Sequence, residues 1–156
     1  MDKQKKKIIV DLDIVTVAEW DKDKDAVSFI NRARSGEFEV YVPYSLLDLL
    51  DKWEYKNLSN KIKEFYELYS QEIISAQKLT NKLDELNLRE EVLTKEFLDK
   101  GIKEEDILLI IIASSFRLDY LVTRNRKHLK NKEEEINNVL HKCKLKKICI
   151  VLPNEI

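Results

Sequence analysis

The chain has 156 residues, the length of one ordinary domain, and its apolar residues (44%) are enough for one hydrophobic core. Its 28 basic residues nearly balance 29 acidic ones, and the net charge of −1 excludes a uniformly basic nucleic-acid-binding protein. The longest apolar run, residues 107–113, is far shorter than the ~20 residues that span a bilayer. The basic start, residues 3–7, precedes only three apolar residues, which excludes a signal peptide. We therefore expect a single cytoplasmic domain over residues 1–156, with no membrane contact.

Scarce residue types exclude several common active sites. Gly36 and Gly101 are the two glycines, too few for a glycine-rich phosphate-binding loop. The two cysteines and two histidines do not have the spacing of zinc ligands. We expect Cys149 to be a buried thiol of the last strand and Cys143 to lie at the surface. The catalytic groups that remain are mainly carboxylates.

The first half of the chain alternates strand and helix patterns. The apolar run 8–10, flanked by charged residues, predicts a buried strand that ends at Asp11. Helical spacing follows over 25–33, and Gly36 lies just past its end. Alternation over 38–42 predicts a second strand, and Pro43 suits the first turn of the next helix. That helix has an apolar face of Leu46, Leu47, Leu50 and Trp53, and another helix is predicted over 59–69.

The second half of the chain continues the alternation. The pattern of residues 71–79 fits a turn, a short strand or more helix equally well. Residues 83–98 predict one helix that ends at Gly101. Residues 107–113 are apolar on every face, and the three acids before them favour a helix N-terminus. A strand over 120–123, a polar helix over 127–142 and a last strand over 146–152 follow. This order predicts an α/β domain in three layers, with a central parallel sheet of about four strands flanked by helices.

Acidic and polar residues are expected at one edge of this sheet. Open parallel sheets bind ligands at the carboxyl ends of their strands. The candidates that follow strands, or open helices beside them, are Asp11, Asp13, Asp48, Asp106, Thr123 and Asn125. Asp48 lies nearly opposite the apolar face of its helix. Converging carboxylates repel one another unless a cation neutralises them, and oxygen ligands suit Mg²⁺ or Mn²⁺.

Four segments, taken in order, resemble the PIN domains. They are the first strand with its acids (Ile8 to Asp13), the acid on the helix after a strand-ending proline (Val42 to Asp48), the acid that opens an apolar helix (Glu105 to Ala113), and the Thr-x-Asn with a basic-histidine pair (Thr123 to His128). The chain also ends, as many members do, on a strand that runs into a proline with an acid close behind. The ordered set over the whole chain carries the resemblance.

The resemblance implies an Mg²⁺- or Mn²⁺-dependent endoribonuclease, of the kind found as toxins in toxin–antitoxin pairs. Asp11, Asp48 and Asp106 match the metal-binding acids, and Asn125 matches the weaker fourth catalytic position. Thr123 matches a polar supporting position, and Asp13, where the family often has Asn or a small residue, is a supporting residue that offsets part of the charge lost at Asn125. The family usually has Glu where Asp48 stands and often Asp where Asn125 stands, so the chain departs from the pattern at both. RNA as substrate and an antitoxin protein as partner are implied with the activity.

Positive charge is concentrated near the C-terminus. Residues 124–147 hold nine Lys or Arg against three Glu, a local charge of +6. The segment begins beside the predicted site, so Arg124, Arg126 and Lys127 are predicted to bind RNA phosphates. A solvated surface rich in Lys and Glu is the other interpretation of this segment.

Two other classes of function remain open. A PIN-like module that binds RNA or protein without catalysis would explain the departures at Asp48 and Asn125. The Asp-Leu-Asp after the first strand also resembles the haloacid dehalogenase-type phosphatases, although their Gly-Thr is replaced here by Ile14-Val15. The helix face with Tyr66 and Tyr69 is a possible homodimer contact, with core packing as the other use.

Overall fold

The computed structural model describes residues 4–156, and within them a five-stranded parallel sheet forms the centre of the molecule. The spatial order is β3-β2-β1-β4-β5. The strands are β1 (Lys6–Val10), β2 (Phe38–Pro43), β3 (Ser70–Ile74), β4 (Tyr120–Val122) and β5 (Ile150–Val151). The predicted α/β fold is confirmed, with β3 as one strand more than we predicted.

Helices cover both faces of the sheet and complete the three layers. One face carries α1 (Leu12–Trp20), α2 (Lys24–Arg34), α3 (Tyr44–Asp51) and α4 (Lys56–Tyr69). The other carries α5 (Ala76–Glu85), α6 (Glu90–Leu98), α7 (Glu104–Ser115) and α8 (Glu133–Lys142). Successive residues of β1 point to opposite faces, so Ile8 and Val10 pack in one core and Ile9 in the other. Among the described residues, no helix is both long and apolar enough to cross a bilayer.

The strand order places a topological switch point between β1 and β4. From β1 the chain adds β2 and then β3 on one side, and it returns to place β4 and β5 on the other side. Connections therefore leave β1 and β4 in opposite directions, which opens a crevice at their carboxyl ends. Asp11 and Thr123 are the first residues after these two strands.

Helix α1 was missed by the sequence analysis. Its segment contains four consecutive β-branched residues, from Ile14 to Val17, which are weak helix formers. Ile14, Val15 and Ala18 are nevertheless buried against the sheet. Tertiary burial therefore outweighs the low intrinsic propensity of this segment.

The predicted single helix over 83–98 is wrong, because two helices occupy this region. Helix α5 ends before Asn87, whose φ of 58° is in the left-handed region that commonly ends helices. The chain then re-enters a helix as α6. The region 71–79, left open above, contains the end of β3 and the start of α5.

The C-terminal third corrects several further predictions. The polar helix starts at Glu133 rather than at residue 127, and the last strand pairs only over Ile150–Val151. Cys149 is exposed instead of buried, because Ile148 and Ile150 alternate inward on either side of it. Cys143 is half-buried and packs against the core on the α7 face of the sheet, whereas we expected it at the surface. Tyr66 is fully buried, so its ring belongs to the core, whereas Tyr69 of the same helix is 37% exposed and a dimer contact there stays a prediction.

Candidate functional site

Asp11 and Thr123 meet at the switch point. The main-chain N–H of Asp11 donates to the carbonyl of Val122 at 2.9 Å, and the Thr123 hydroxyl donates to Asp11 Oδ2 at 2.8 Å. On the other side, the buried Tyr66 of α4 donates its hydroxyl to the carbonyl of Val10 at 2.9 Å. Thr123 therefore holds the carboxylate of Asp11, and Tyr66 holds the backbone just before it at the end of β1.

Asp13 lies beside this pair, on the first turn of α1. Its Oδ2 accepts a hydrogen bond from the main-chain N–H of Arg124 at 3.1 Å and lies 3.5 Å from the Thr123 hydroxyl oxygen. The N–H of Asn125 donates to that same hydroxyl oxygen at 3.0 Å. Thr123 therefore links both aspartates to the loop after β4, and the supporting role of Thr123 and Asp13 stays a prediction.

Asp106 approaches the site from the other layer. It lies in the first turn of α7 and is only 8% exposed. Burial, then the charges of Asp11 and Glu105, raises its pKa to about 6. Asp11, Asp13 and Asp106 therefore come together in the folded chain.

The other two acids of this group also hold their protons more tightly than free aspartate. Burial and then the charge of Asp11 raise the pKa of Asp13 to about 7. Burial raises the pKa of Asp11, although the hydrogen bond from Thr123 acts in the opposite direction. Within residues 4–156, none of the three acids forms an ion pair with a basic side chain. The site is therefore electrostatically negative and unneutralised.

The three acids line one end of a cavity of about 510 Å³ between α1, α3 and α7. Its other walls are mostly apolar, and Glu105 contributes a fourth carboxylate. Further lining residues include Thr16, Val17, Ser45, Leu46, Leu49, Trp53 and Leu108. The cavity therefore combines carboxylates with a mostly apolar lining, as ligand-binding cavities commonly do.

Asp48, predicted as a metal-binding acid, is not brought to this cavity. It is exposed on α3, while Ser45, Leu46 and Leu49 of the same helix face the cavity. Neighbouring side chains on a helix point about 100° apart, so Asp48 faces away from the cavity while the next side chain faces it. That position is Leu49, which carries no charge.

Asn125 serves the loop after β4. Its Oδ1 accepts a hydrogen bond from the N–H of His128 at 3.0 Å, and its carbonyl accepts from the N–H of Lys130 at 3.0 Å. Asn125 is not among the residues that line the cavity. The side chain therefore stabilises the turn that places Thr123, and the catalytic role predicted for Asn125 stays a prediction.

The basic residues predicted to bind RNA differ in their surroundings. Arg124 lies 3.6 Å from Asp23 in an ion pair. Arg126 and Lys127 are exposed, and neither forms an ion pair with any residue in 4–156. Arg124 is thus the one of the three whose charge lies within ion-pair distance of a described carboxylate.

A complete set of protein metal ligands is not formed. Among residues 4–156, no three His, Cys, Asp or Glu side chains are grouped so that together they would hold an ion. The sequence analysis also missed Glu105 and the hydroxyl and apolar lining of the cavity. Thr16 and Val17 lie on helix α1, which the β-branched segment concealed, whereas Glu105 lies beside Asp106 in the first turn of α7.

No protein-family model and no curated protein sequence matches the chain. Among solved structures, the chain is similar to VapBC2 from Rickettsia felis bound to a DNA fragment from their promoter. The two are 17% identical, the match covers 94% of this chain and 98% of that chain, and the TM-score is 0.58. VapC is a PIN domain. The chain has a PIN-like fold. The fold that the ordered motifs predicted is therefore confirmed over nearly the whole length.

Proposed function

We propose that the chain is a divalent-metal-dependent endoribonuclease that hydrolyses RNA phosphodiester bonds at the cavity of Asp11, Asp13 and Asp106. The observation that carries the proposal is the convergence of these carboxylates at the switch point without a basic partner among residues 4–156. Their mutual repulsion is a cost that the fold retains, and binding of a cation would relieve it.

The donor chemistry of the site fits Mg²⁺ or Mn²⁺. All of its side-chain donors are oxygens, as these hard cations prefer. Mg²⁺ keeps several waters and is commonly held by one or two carboxylates together with substrate phosphates, so three protein ligands are not required. Asp11 and Asp106 would hold the cation, with Asp13 as an additional negative charge.

The chain's own groups orient the reacting phosphate and the acids. Thr123 donates to Asp11 and fixes the direction of that carboxylate, while Tyr66 holds the carbonyl just before it. The apolar wall of the cavity reduces water access, which strengthens the field of the acids. A divalent cation, when bound, supplies charge neutralisation for the phosphate and lowers the pKa of water.

Cleavage is expected to depend on added metal. The purified protein should cut single-stranded RNA with Mg²⁺ or Mn²⁺ and should lose that activity in excess EDTA, because the acids alone repel the phosphate. Gel analysis of a labelled RNA measures this, with restoration by surplus Mn²⁺ as the control for damage by the chelator. Undiminished cleavage in excess EDTA would contradict the metal-dependent mechanism.

An acid placed at position 49 is expected to strengthen metal binding. Leu49→Glu puts a carboxylate on the wall of the cavity, and about 1.4 kcal/mol of added attraction corresponds to roughly tenfold tighter binding. Asp48→Ala, the matched change on the exposed face, should leave binding and cleavage unchanged. Isothermal titration with Mn²⁺ compares both variants with the unchanged chain. Weaker binding in Asp48→Ala would restore Asp48 to the site.

We extend the proposal to a protein antitoxin as partner and to self-association. The likeness to VapBC2 supports such a partner. A short reading frame next to that of this chain, whose product co-purifies with it and inhibits cleavage, is the test. Light scattering of the chain alone and with that product gives the oligomeric state.

A non-catalytic PIN-like binding module is the second candidate. Two observations favour it. No acidic residue of α3 lines the cavity, and no group of three metal-binding side chains forms among the described residues. The two functions differ in metal affinity. A nuclease site should bind Mn²⁺ in the titration described above, whereas a module without catalysis should bind RNA with no response to metal.

A further inference from the structure

Basic side chains from two separate loops meet beside the acid cavity. Lys103 lies in the turn between α6 and α7, three residues before Asp106. Lys127 and Lys132 lie in the loop after β4, with His128 between them. Lys103 and Lys127 are exposed, and Lys132 and His128 are half-buried. We refer to these four residues as the basic cluster.

Direct contacts hold the two loops together. The Lys132 ammonium donates to the carbonyl of Lys100 at 3.0 Å, and Lys132 Nζ lies 3.3 Å from the point that a Cβ on Gly101 would occupy. Gly101 has a φ of 81°, which lets the chain turn sharply beneath this amine. The position of Lys103, two residues further on, is therefore tied to the loop that carries Lys127.

The charges of the basic cluster act on one another and on the acid site. After desolvation, the charges of Lys103, Lys127 and Lys132 lower the pKa of His128. The charge of Lys103 also acts on Asp106, where it opposes the rise in pKa. Lys103 therefore influences both the basic cluster and the acid cavity.

Two other lysines of the C-terminal region have acidic partners, unlike the lysines of the basic cluster. Lys130 pairs with Glu155 at 3.5 Å, and Lys142 pairs with Glu96 at 3.5 Å. None of Lys103, Lys127 and Lys132 lies within an ion pair among residues 4–156. Like charges that a fold keeps together without a counter-ion form a ready binding surface for an anion.

We propose that the basic cluster is a phosphate-binding subsite, in which Lys103 and Lys127 hold an RNA backbone phosphate that neighbours the one in the acid cavity. Lys132 adds charge while its amine fixes the two loops. The inference rests on the proposed function and deepens it, since it gives the RNA strand a path from the cavity towards the α6–α7 turn. Arg124, whose charge is paired with Asp23, contributes less to this path.

The salt dependence of RNA binding tests this subsite. The full chain carrying Asp11→Asn, which prevents cleavage, is titrated with a fluorescent single-stranded RNA at several salt concentrations. Each lysine that contacts a phosphate adds roughly 0.7 to the slope of log Kobs against log salt for a single strand. Lys103→Gln and Lys127→Gln should each reduce the slope by about that amount, and the double variant by about 1.4.

A matched control removes the same charge elsewhere. Lys146 and Lys147 are exposed and precede β5. They therefore lie towards the amino ends of the strands, whereas the acid cavity lies at the carboxyl ends. Lys146→Gln with Lys147→Gln should leave the slope unchanged. Equal slopes in the unchanged chain and the Lys103→Gln, Lys127→Gln variant would overturn the proposal.

Two further results separate the subsite from the proposed function. If that double variant keeps its RNA slope but loses binding of a poly-glutamate peptide, the cluster serves an acidic protein partner and the proposal is overturned. If the slopes fall as expected but the chain with Asp11 intact cuts no RNA with Mn²⁺, the subsite stands and the nuclease proposal fails. Conversely, if the chain cuts RNA with Mn²⁺ but the slopes stay unchanged, the nuclease proposal stands and the subsite proposal fails.

Discussion

Asp11→Asn is expected to reduce metal-dependent RNA cleavage by at least about a hundredfold, comparable to the loss of one electrostatic group from an active site. The amide oxygen can still accept the hydrogen bond from Thr123, so the local structure should persist. What the change removes is the negative charge at the end of β1, where the cation would bind.

The same change is expected to raise the melting temperature of the metal-free protein. Burial and neighbouring acids raise the pKa of Asp11, so at neutral pH its ionised form costs folding free energy. A loss of activity that accompanies a gain in stability would distinguish removal of a functional charge from damage to the fold. Asp106→Asn, at the other wall of the cavity, should behave in the same way.

Asp48→Asn is the matched control for both variants. It makes the same chemical change on exposed α3, outside the cavity, and it should alter stability by no more than about 0.5 kcal/mol. Cleavage rates with Mn²⁺ and thermal melts with and without Mn²⁺ are measured on all three proteins. Full cleavage by a well-folded and contaminant-free Asp11→Asn protein would end the proposed mechanism.

The parts of the fold that sequence predicted are those in which local pattern and tertiary burial agree. The run 8–10 is short, apolar and β-branched, and it forms β1 at the centre of the sheet. Helix α7 was predicted from apolar residues on every face after three acids, and nine of its twelve residues are buried. In both segments the intrinsic preference, the flanking charges and the final environment favour one structure.

Local pattern fails where packing determines the outcome. The β-branched segment 14–17 becomes helical because α1 must cover the sheet beside β1, and no residue within the segment indicates that requirement. Asp48 illustrates a finer limit. The sequence places an acid on the correct helix, but which face of α3 meets α1 and α7 is set by contacts between elements. A rotation of one residue exchanges Asp48 for Leu49.

The basic cluster depends on tertiary contact in the same way. The local excess of charge over 124–147 pointed to Arg124, Arg126 and Lys127, but the sequence could not show that Asp23 lies close to Arg124. It also could not show that the turn before Lys103 contacts the loop that carries Lys127. Folding therefore changes which positive charges are available to a ligand.

The stability of the metal-free protein is expected to fall as the pH rises from about 5 to about 8. The folded chain holds the protons of Asp13 and Asp106 up to pKa values of about 7 and about 6, whereas the unfolded chain releases them near the ordinary value of 3.8. Between these limits the folded state binds more protons, so the free energy of unfolding decreases with pH. Below the unfolded value both states are protonated and the effect ends.

The size of this effect follows from the pKa values. One pH unit corresponds to about 1.4 kcal/mol for each proton. From pH 5 upward the folded chain keeps the proton of Asp13 for about two pH units and that of Asp106 for about one, so the total is on the order of 4 kcal/mol. For a domain of this length that corresponds to roughly 8–16 °C in melting temperature. His128, with its lowered pKa, acts in the opposite direction, because the unfolded state binds its proton more readily than the folded state.

A double variant isolates the contribution of the acids. Asp13→Asn with Asp106→Asn keeps His128, so the difference between its melting curves and those of the unchanged chain reports the acids alone. The variant should be the more stable protein at about pH 8 and should lose most of this advantage at about pH 5. Added Mg²⁺ should stabilise the unchanged chain at the higher pH and have little effect at the lower pH, since metal binding requires deprotonated ligands. The same pH dependence in both proteins would show that these carboxylates are already neutralised in solution, which would remove the physical basis for a cation at this site.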